Sequence, residues 1–357
     1  MTTQDGGTRP RGRRRRELTV ASIAEMAGVS APTVSKVLNG RSGVALATRQ
    51  RVEALLREHE YRRPDRIGPA AFLEVVFLQL ESHQAVEIMR GVERVARERE
   101  LAVGFLEALD RPVNGRSWTD QVLARRPTGI IVVYAGLTPE QQAQLASSGI
   151  ALVALDPTGE PLHSTASVGA TNWTGGLAAT RHLVDLGHRR IAAIAGPADY
   201  LCARARLDGF RAAMDGAGLA VDDELVRIGR FYFEDGLKHG QDLLGLANPP
   251  TAIVCGNDLQ ALGVYEAARQ AGVPIPRRLS VVGFDDVEYV RWCGPPLTTV
   301  RQPLVEMGAA AANLVLDLAA GGSPEPTRIE LATTLVVRES TAPPTAARRP
   351  PRQRGGR

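Results

Sequence analysis

From Leu73 onward the chain alternates short, almost wholly apolar runs with stretches of helical periodicity. No other feature constrains the fold as tightly. The runs are "LEVVFLQL", "LAVGFLEAL", "GIIVVY", "IALVALD", "RIAAIAG", "TAIVCG" and "LSVVGFD". Helical segments lie between them, among them 85–99, 139–147, 173–186, 206–217, 258–271 and 306–320. Strands without polar alternation are buried on both faces, and intervening helices supply the cover, so the sheet is parallel. About ten such strands are too many for one doubly wound unit. The pattern predicts two doubly wound subdomains with a cleft at the carboxyl ends of their strands.

The residues at those strand ends carry the chemistry. "LVALD" ends in Asp156, "IVCGND" in Asn257-Asp258 and "VVGFDD" in Asp285-Asp286, while Arg204 and Arg206 open a helix after "IAAIAGP". Carboxylates beside a guanidinium suit the hydroxyls of a sugar, because the first accept hydrogen bonds and the second donates them. An Asp at a strand end also serves simply to cap the next helix, so each position carries both readings.

The chain before this region reads differently. Residues 18–61 form three short helices. Thr19 caps the first, Ile23, Ala24 and Ala27 are its apolar stripe, and Gly28 ends it. Ser30 caps the second, Pro32 sits in its first turn, and Val34, Val37 and Leu38 face inward. Thr48 opens the third, with Val52, Leu55 and Leu56 inward. Two short helices joined by Gly-Val-Ser describe a helix-turn-helix. Such a second helix enters the major groove by its N-terminal end, leaving Ala31, Pro32, Thr33, Ser35 and Lys36 outward. The bland alternative is a small helical cap on an enzyme.

Charge separates the two readings. Residues 1–66 carry 14 Lys+Arg against 7 Asp+Glu, and 341–357 carry five Arg and no acid. The stretch between them has 24 basic against 32 acidic residues, so the overall +4 conceals basic ends on an acidic body. Basic ends meet a polyanion. Composition assigns 1–17 and 341–357 to a disordered basic arm and tail. The 357 residues, 44% apolar and 23% charged, fit a globular protein of two to three domains. No uncharged apolar run approaches the ~18 residues of a membrane span. Three scattered cysteines, Cys202, Cys255 and Cys293, indicate neither a disulfide framework nor a zinc site, and fit a reducing cytoplasm. There is no phosphate-binding loop, nucleophile elbow, His-Glu-x-x-His or dinucleotide fingerprint, and the six His lack metal-ligand spacing. No cofactor and no catalysis are expected.

"LTVASIAEMAGVSAPTVSKVLNG" followed by "TRQRVEALLREHEYRRP" resembles the DNA-binding domain of the lactose-repressor (LacI/GalR) family of bacterial transcription regulators. "GHRRIAAIAGP", "ARARLDGF", "IVCGNDLQALGV", "LSVVGFDD" and "PPLTTVRQP" are similar, in order and spacing, to the effector-binding domain of that family, whose fold is that of periplasmic sugar-binding proteins. The resemblance runs from Leu18 to about Ser340. It implies base reading by Ala31, Pro32 and Lys36, with Lys36 donating to guanine and Ala31 limited to apolar contact. Thr19, Ser30, Thr33, Ser35 and Asn39 then position the helix on phosphate or sugar. It implies effector contacts by Arg206, Asn257 and Asp285, with Asp156 a fourth. Phe231 stands where the family often places an aromatic residue against the ligand, Gln302 is a further candidate, and Ser82 is assigned the N-terminal subdomain's contact. His188 in "LGHRR" belongs to a family motif read as structural.

The sequence departs from the family pattern twice. Ala45 stands where a capping Ser or Thr precedes the third helix. The linker, 62–72, contains Gly68 and Pro69, which oppose a hinge helix, and has no leucine at the position of the minor-groove wedge. Arg62, Arg63 and Arg66 are either a substitute minor-groove contact or a solvated linker. The expectation is a head at 18–61, a linker at 62–72 and an effector-binding and dimerisation domain at 73–340. The chain then acts as a homodimer on a pseudo-palindromic operator in double-stranded DNA, controlled by a sugar or related metabolite, with no membrane partner. Readings from other classes are a sugar-binding protein for uptake and a sugar-modifying enzyme with a helical cap.

Overall fold

The computed structural model describes residues 19–38, 43–59, 70–77, 83–108, 116–134, 137–157, 165–325 and 327–345. The arm 1–17, Asn39, Arg62, Arg63, Arg66, Gly68, Pro69, Ser82 and the tail beyond Thr345 lie outside the described residues.

The N-terminal unit is three helices, α1 (Val20–Ala27), α2 (Ala31–Leu38) and α3 (Leu46–Glu58). Thr19 caps α1 by accepting the Ser22 N–H at 3.2 Å. Gly28 leaves the helix at φ +65°, and the Val29 N–H then reaches back to the Ala24 carbonyl at 3.0 Å. The Ser30 carbonyl accepts the first bond of α2, from Thr33 N–H at 2.9 Å. Ile23, Ala24, Ala27, Val34, Val37 and Val52 form the core, with Leu55 and Leu56 packed against it. The third helix differs from the expectation. It begins at Leu46, not Thr48, because the Ala45 carbonyl accepts the Arg49 N–H at 2.9 Å and no side-chain cap is needed to start it.

The body runs β1 (Ala70–Phe77), α4 (His83–Glu98), β2 (Ala102–Glu107), α5 (Trp118–Arg125), β3 (Pro127–Val133), α6 (Pro139–Ser147), β4 (Ala151–Leu155) and β5 (Ala166–Ala170). It continues α7 (Asn172–Asp185), β6 (Ile191–Ala195), α8 (Leu201–Gly216), β7 (Val226–Ile228), α9 (Phe233–Leu244), β8 (Ala252–Cys255) and α10 (Asp258–Gln270). It closes β9 (Ser280–Asp285), β10 (Thr298–Arg301), α11 (Leu304–Ala319), β11 (Arg328–Leu331) and β12 (Thr334–Val336).

The strands form two six-stranded sheets, ordered β2-β1-β3-β4-β5-β11 and β7-β6-β8-β9-β10-β12. The first is wholly parallel, and only the β10/β12 pair of the second is antiparallel. The two sheets share one topology, and each reverses its strand order beside its first strand. That reversal opens the crevice where ligands bind in such sheets. The predicted pair of doubly wound subdomains is present.

The apolar runs are continuous because both sheet faces are covered. In β6, Ile191 and Ala193 join Leu183, Phe210 and Phe284 on one face, while Ala192 and Ile194 join Leu243, Val264 and Val281 on the other. In the first sheet Leu73, Val75, Ile131 and Val153 pack on Ile88, Val92, Met307 and Val315 of α4 and α11. The chain therefore passes between subdomains three times: after β5, after β10 and between β11 and β12. Two of these crossings are bonded together, with the Thr333 N–H donating to Thr171 Oγ1 at 2.9 Å.

Glycines set the spacing of the helix pairs. A Cβ on Gly176 of α7 would lie 2.1 Å from the Arg206 carbonyl of α8, and one on Gly209 of α8 would lie 2.2 Å from the Trp173 carbonyl. The α9/α10 pair repeats this with Gly236 and Gly263, and the α4/α11 pair with Gly91 and Gly308.

The first residues of the predicted tail are tied down. The Ala342 N–H donates to Ser280 Oγ at 3.1 Å, and Thr345 Oγ1 donates to the Arg277 carbonyl at 2.7 Å. Buried His188 joins this seam through Thr251, Ser280 and the Ala342 carbonyl, a structural role. Among the described residues no helix is long and apolar enough to cross a membrane.

Candidate functional site

A cleft of about 770 Å³ opens between the two subdomains at the carboxyl ends of their strands. Asp156, Arg206, Phe231, Asn257, Asp285 and Gln302, chosen from sequence, all line it. Gln84 and Tyr134, not foreseen, line it too. Of the other strand-end residues, Arg204 is exposed on the helix surface. Asp258 lines the cleft, but its carboxylate is spent on the Thr299 hydroxyl (2.5 Å) and the Val287 N–H (3.0 Å).

Arg206 is the centre of the site. It does not open α8, which starts at Leu201 from a turn in which the Tyr200 N–H bonds the Pro197 carbonyl. It stands in the second turn and is buried. Its Nε donates to Asn172 Oδ1 at 2.8 Å and its Nη1 to the Gly256 carbonyl at 2.7 Å, with Asp285 Oδ1 3.6 Å away. The guanidinium stacks on the Phe284 ring, 3.7 Å from the centroid, and lies 5.7 Å from that of Phe231. The fork is thus fixed before any ligand arrives.

Asn257 is the N-cap of α10: Oδ1 accepts the Gln260 N–H at 2.9 Å and Nδ2 donates to the Phe231 carbonyl at 2.9 Å. It holds Phe231 as well as facing the cleft. Gly196 makes room for that ring, since a Cβ there would fall 2.0 Å from it.

The two carboxylates behave differently from surface acids. Asp285 accepts from Gln302 Nε2 at 2.7 Å and from Gln84 Nε2 of the opposite subdomain. Burial nevertheless raises its pKa to about 6, against the pull of Arg206 and these hydrogen bonds. Burial likewise raises Asp156, with Arg206 and Asn172 opposing. Asp286 turns the other way and is paired with Arg301 (2.7 Å) and Arg338 (2.5 Å), so the two adjacent acids face different surroundings.

Among the described residues, three buried polar atoms in this cleft find no hydrogen-bond partner: Tyr134 Oη, Asp156 Oδ2 and Gln302 Oε1. Such groups are costly to leave unmade, by about 1–3 kcal/mol each. Tyr134, Asp156, Phe231 and Asp285 also hold positive φ, at +53°, +46°, +69° and +115°. That is four cleft residues among seven non-glycine residues of this kind in the described part of the chain. Backbone strain concentrates where function requires a side chain to be aimed.

A ligand hydroxyl that donates to Asp285 binds the ionised carboxylate. Affinity for such a ligand is therefore expected to be full only well above pH 6 and to fall as pH drops through that value, where half of the carboxyl is protonated. Titration calorimetry at pH 5 and pH 7.5 checks this; equal affinity at both would contradict it.

On the N-terminal unit, Ala31, Pro32 and Lys36 of α2 are exposed, Thr33 and Ser35 are half-buried, and Val34 and Val37 hold the helix to its core. Thr19 Oγ1 and Ser30 Oγ are occupied locally, with Ser22 Oγ and Thr33 Oγ1 at 2.9 Å each.

Residues 19–64 match the family described as bacterial regulatory proteins, lacI family, and 180–341 match a periplasmic binding protein-like domain. The chain is 35% identical over 339 residues to the HTH-type transcriptional regulator MalR of Streptomyces coelicolor, covering 90% of this chain and 96% of that one. The chain belongs to the LacI family.

Solved structures of LacI-family proteins share its architecture. The CelR–cellobiose complex is 31% identical with a TM-score of 0.67, covering 90% of this chain and 99% of that one. The lac repressor dimer bound to operator and the anti-inducer ONPF is 28% identical with a TM-score of 0.67, covering 92% and 100%. This LacI-family chain is a DNA-binding transcriptional regulator controlled by an effector.

Proposed function

We propose that this LacI-family regulator acts as a homodimeric repressor whose effector, a sugar or related metabolite, sits between the subdomains and weakens operator binding. The observation that carries the effector reading is the cluster of buried atoms on Tyr134, Asp156 and Gln302, without a partner among the described residues, beside the fixed Arg206 fork. Ligand hydroxyls satisfy those acceptors, the Arg206 guanidinium donates, and Phe231 and Asn257 complete the wall. Gln84 and Ser82 represent the N-terminal subdomain. A ligand held by both subdomains binds their closed arrangement better, and that difference in affinity is what drives a switch. No step of this scheme breaks a covalent bond in the ligand.

On the DNA side, α2 enters the major groove with Ala31, Pro32 and Lys36 toward base edges, and Thr19, Ser30, Thr33, Ser35 and Asn39 toward the backbone. One short helix specifies few bases, and a two-fold dimer on a pseudo-palindrome doubles them. Lys36→Ala is expected to lose roughly 10- to 100-fold at the operator, by the worth of one base-specific contact. Its affinity for random DNA should hardly change. Gel-shift titration of the DNA upstream of its own gene against random competitor reads both, and equal losses on the two would remove Lys36 from base recognition.

A further inference from the structure

The lining of the cleft is asymmetric in charge and in texture. Glu107, Asp156, Asp199, Asp258 and Asp285 set five carboxylates against two guanidinium groups, Arg206 and Arg230. Each guanidinium already faces a carboxylate of the protein. Arg206 serves Asn172, the Gly256 carbonyl and Asp285, and Arg230 pairs with Asp235 at 3.4 Å. No lysine lines the cleft among the described residues. A phosphate or carboxylate ligand needs a free fork or ammonium, and here it would instead meet acceptors.

The floor is polar and buried, whereas the C-terminal subdomain's wall is aromatic: Tyr200, Phe231, Tyr232 and Tyr289. Tyr200 and Phe231 lie 6.4 Å apart at 54°, and Tyr232, 37% exposed, carries Arg230 at 5.4 Å from its centroid. Rings of this kind pack against the C–H faces of sugars. A cleft of about 770 Å³ lies toward the upper end of small-ligand sites and exceeds what one sugar ring fills.

From these observations we infer that the effector is an uncharged oligosaccharide of at least two rings, one on the buried polar floor and the next against the aromatic wall at Tyr232. This rests on the reading of the cleft as the effector site. Phosphorylated sugars and lone monosaccharides are poor ligands.

The test is titration calorimetry of the full-length protein. The probes are glucose, galactose and xylose, neutral di- and trisaccharides built from them, and glucose 6-phosphate. At least one oligosaccharide is expected to bind about tenfold or more tightly than its own monosaccharide, and the phosphate ester to give no heat. Tyr232→Ala should shrink that ratio by roughly fivefold, the worth of one aromatic face. A monosaccharide as tight as its oligomers, a phosphorylated best ligand, silence of every neutral oligosaccharide, or a ratio untouched in Tyr232→Ala overturns the inference. Failure of the cleft reading looks different: an oligosaccharide that binds Arg206→Ala as well as it binds the parent protein is held elsewhere.

Discussion

Arg206→Ala is expected to keep operator binding and to lose roughly 100-fold in effector affinity, the cost of deleting a buried, charge-assisted donor that cannot be replaced by water. The residue does three things at once. It lines the cleft, offsets the charge of Asp156 and Asp285, and buttresses the Gly256 carbonyl ahead of α10. Its removal leaves two buried acids without their cation, so their pKa values rise further and both favour the protonated form. Calorimetry with the identified sugar and gel-shift titration of the operator read the two effects separately. Arg206→Lys keeps the charge and loses the planar fork, so it should recover little. Full recovery in that variant would reduce Arg206 to a counter-charge.

Gly209→Ala is expected to destabilise the protein by about 3 kcal/mol, toward the upper end for overpacking against backbone. The new Cβ would sit 2.2 Å from the Trp173 carbonyl and 2.7 Å from the Leu177 nitrogen, and neither can swing away as a side chain could. The α7/α8 pair must then separate, and α8 carries Arg206. A control lies on the same helix. Gly216 ends α8 with open space around its Cβ direction, so Gly216→Ala should be neutral or slightly stabilising. Thermal melts compare the two; similar midpoints would mean that helix spacing does not rest on the glycine.

The sequence made the repeating framework legible, since strands buried on both faces must read as apolar runs and helices between them as periodic ones. The edges were less legible. Strands β7, β11 and β12 are only three or four residues long, and β11 pairs with β5 far upstream, so nothing local marks them. The start of α8 carries no side-chain cap, which hid its first five residues and made Arg206 look terminal. Within the site, Asp156, Asn257 and Asp285 stood out as polar letters ending apolar strands. Gln84 did not, because its meaning lies in a bond to Asp285, 201 residues away. Tyr134 closes "GIIVVY", where the end of one more apolar strand gives no sign of a site residue. Its buried hydroxyl, without a partner among the described residues, and its positive φ set it apart.

Operator affinity measured with and without a saturating sugar tests the account most directly. Fluorescently labelled DNA from upstream of its own gene is titrated with full-length protein, using a sugar whose binding calorimetry has established. The sugar is expected to weaken the specific complex by tenfold or more, within the roughly 5- to 150-fold of ordinary allosteric coupling. Operator affinity unchanged at saturating sugar would contradict the account, because two sites that do not alter each other's binding are not a switch.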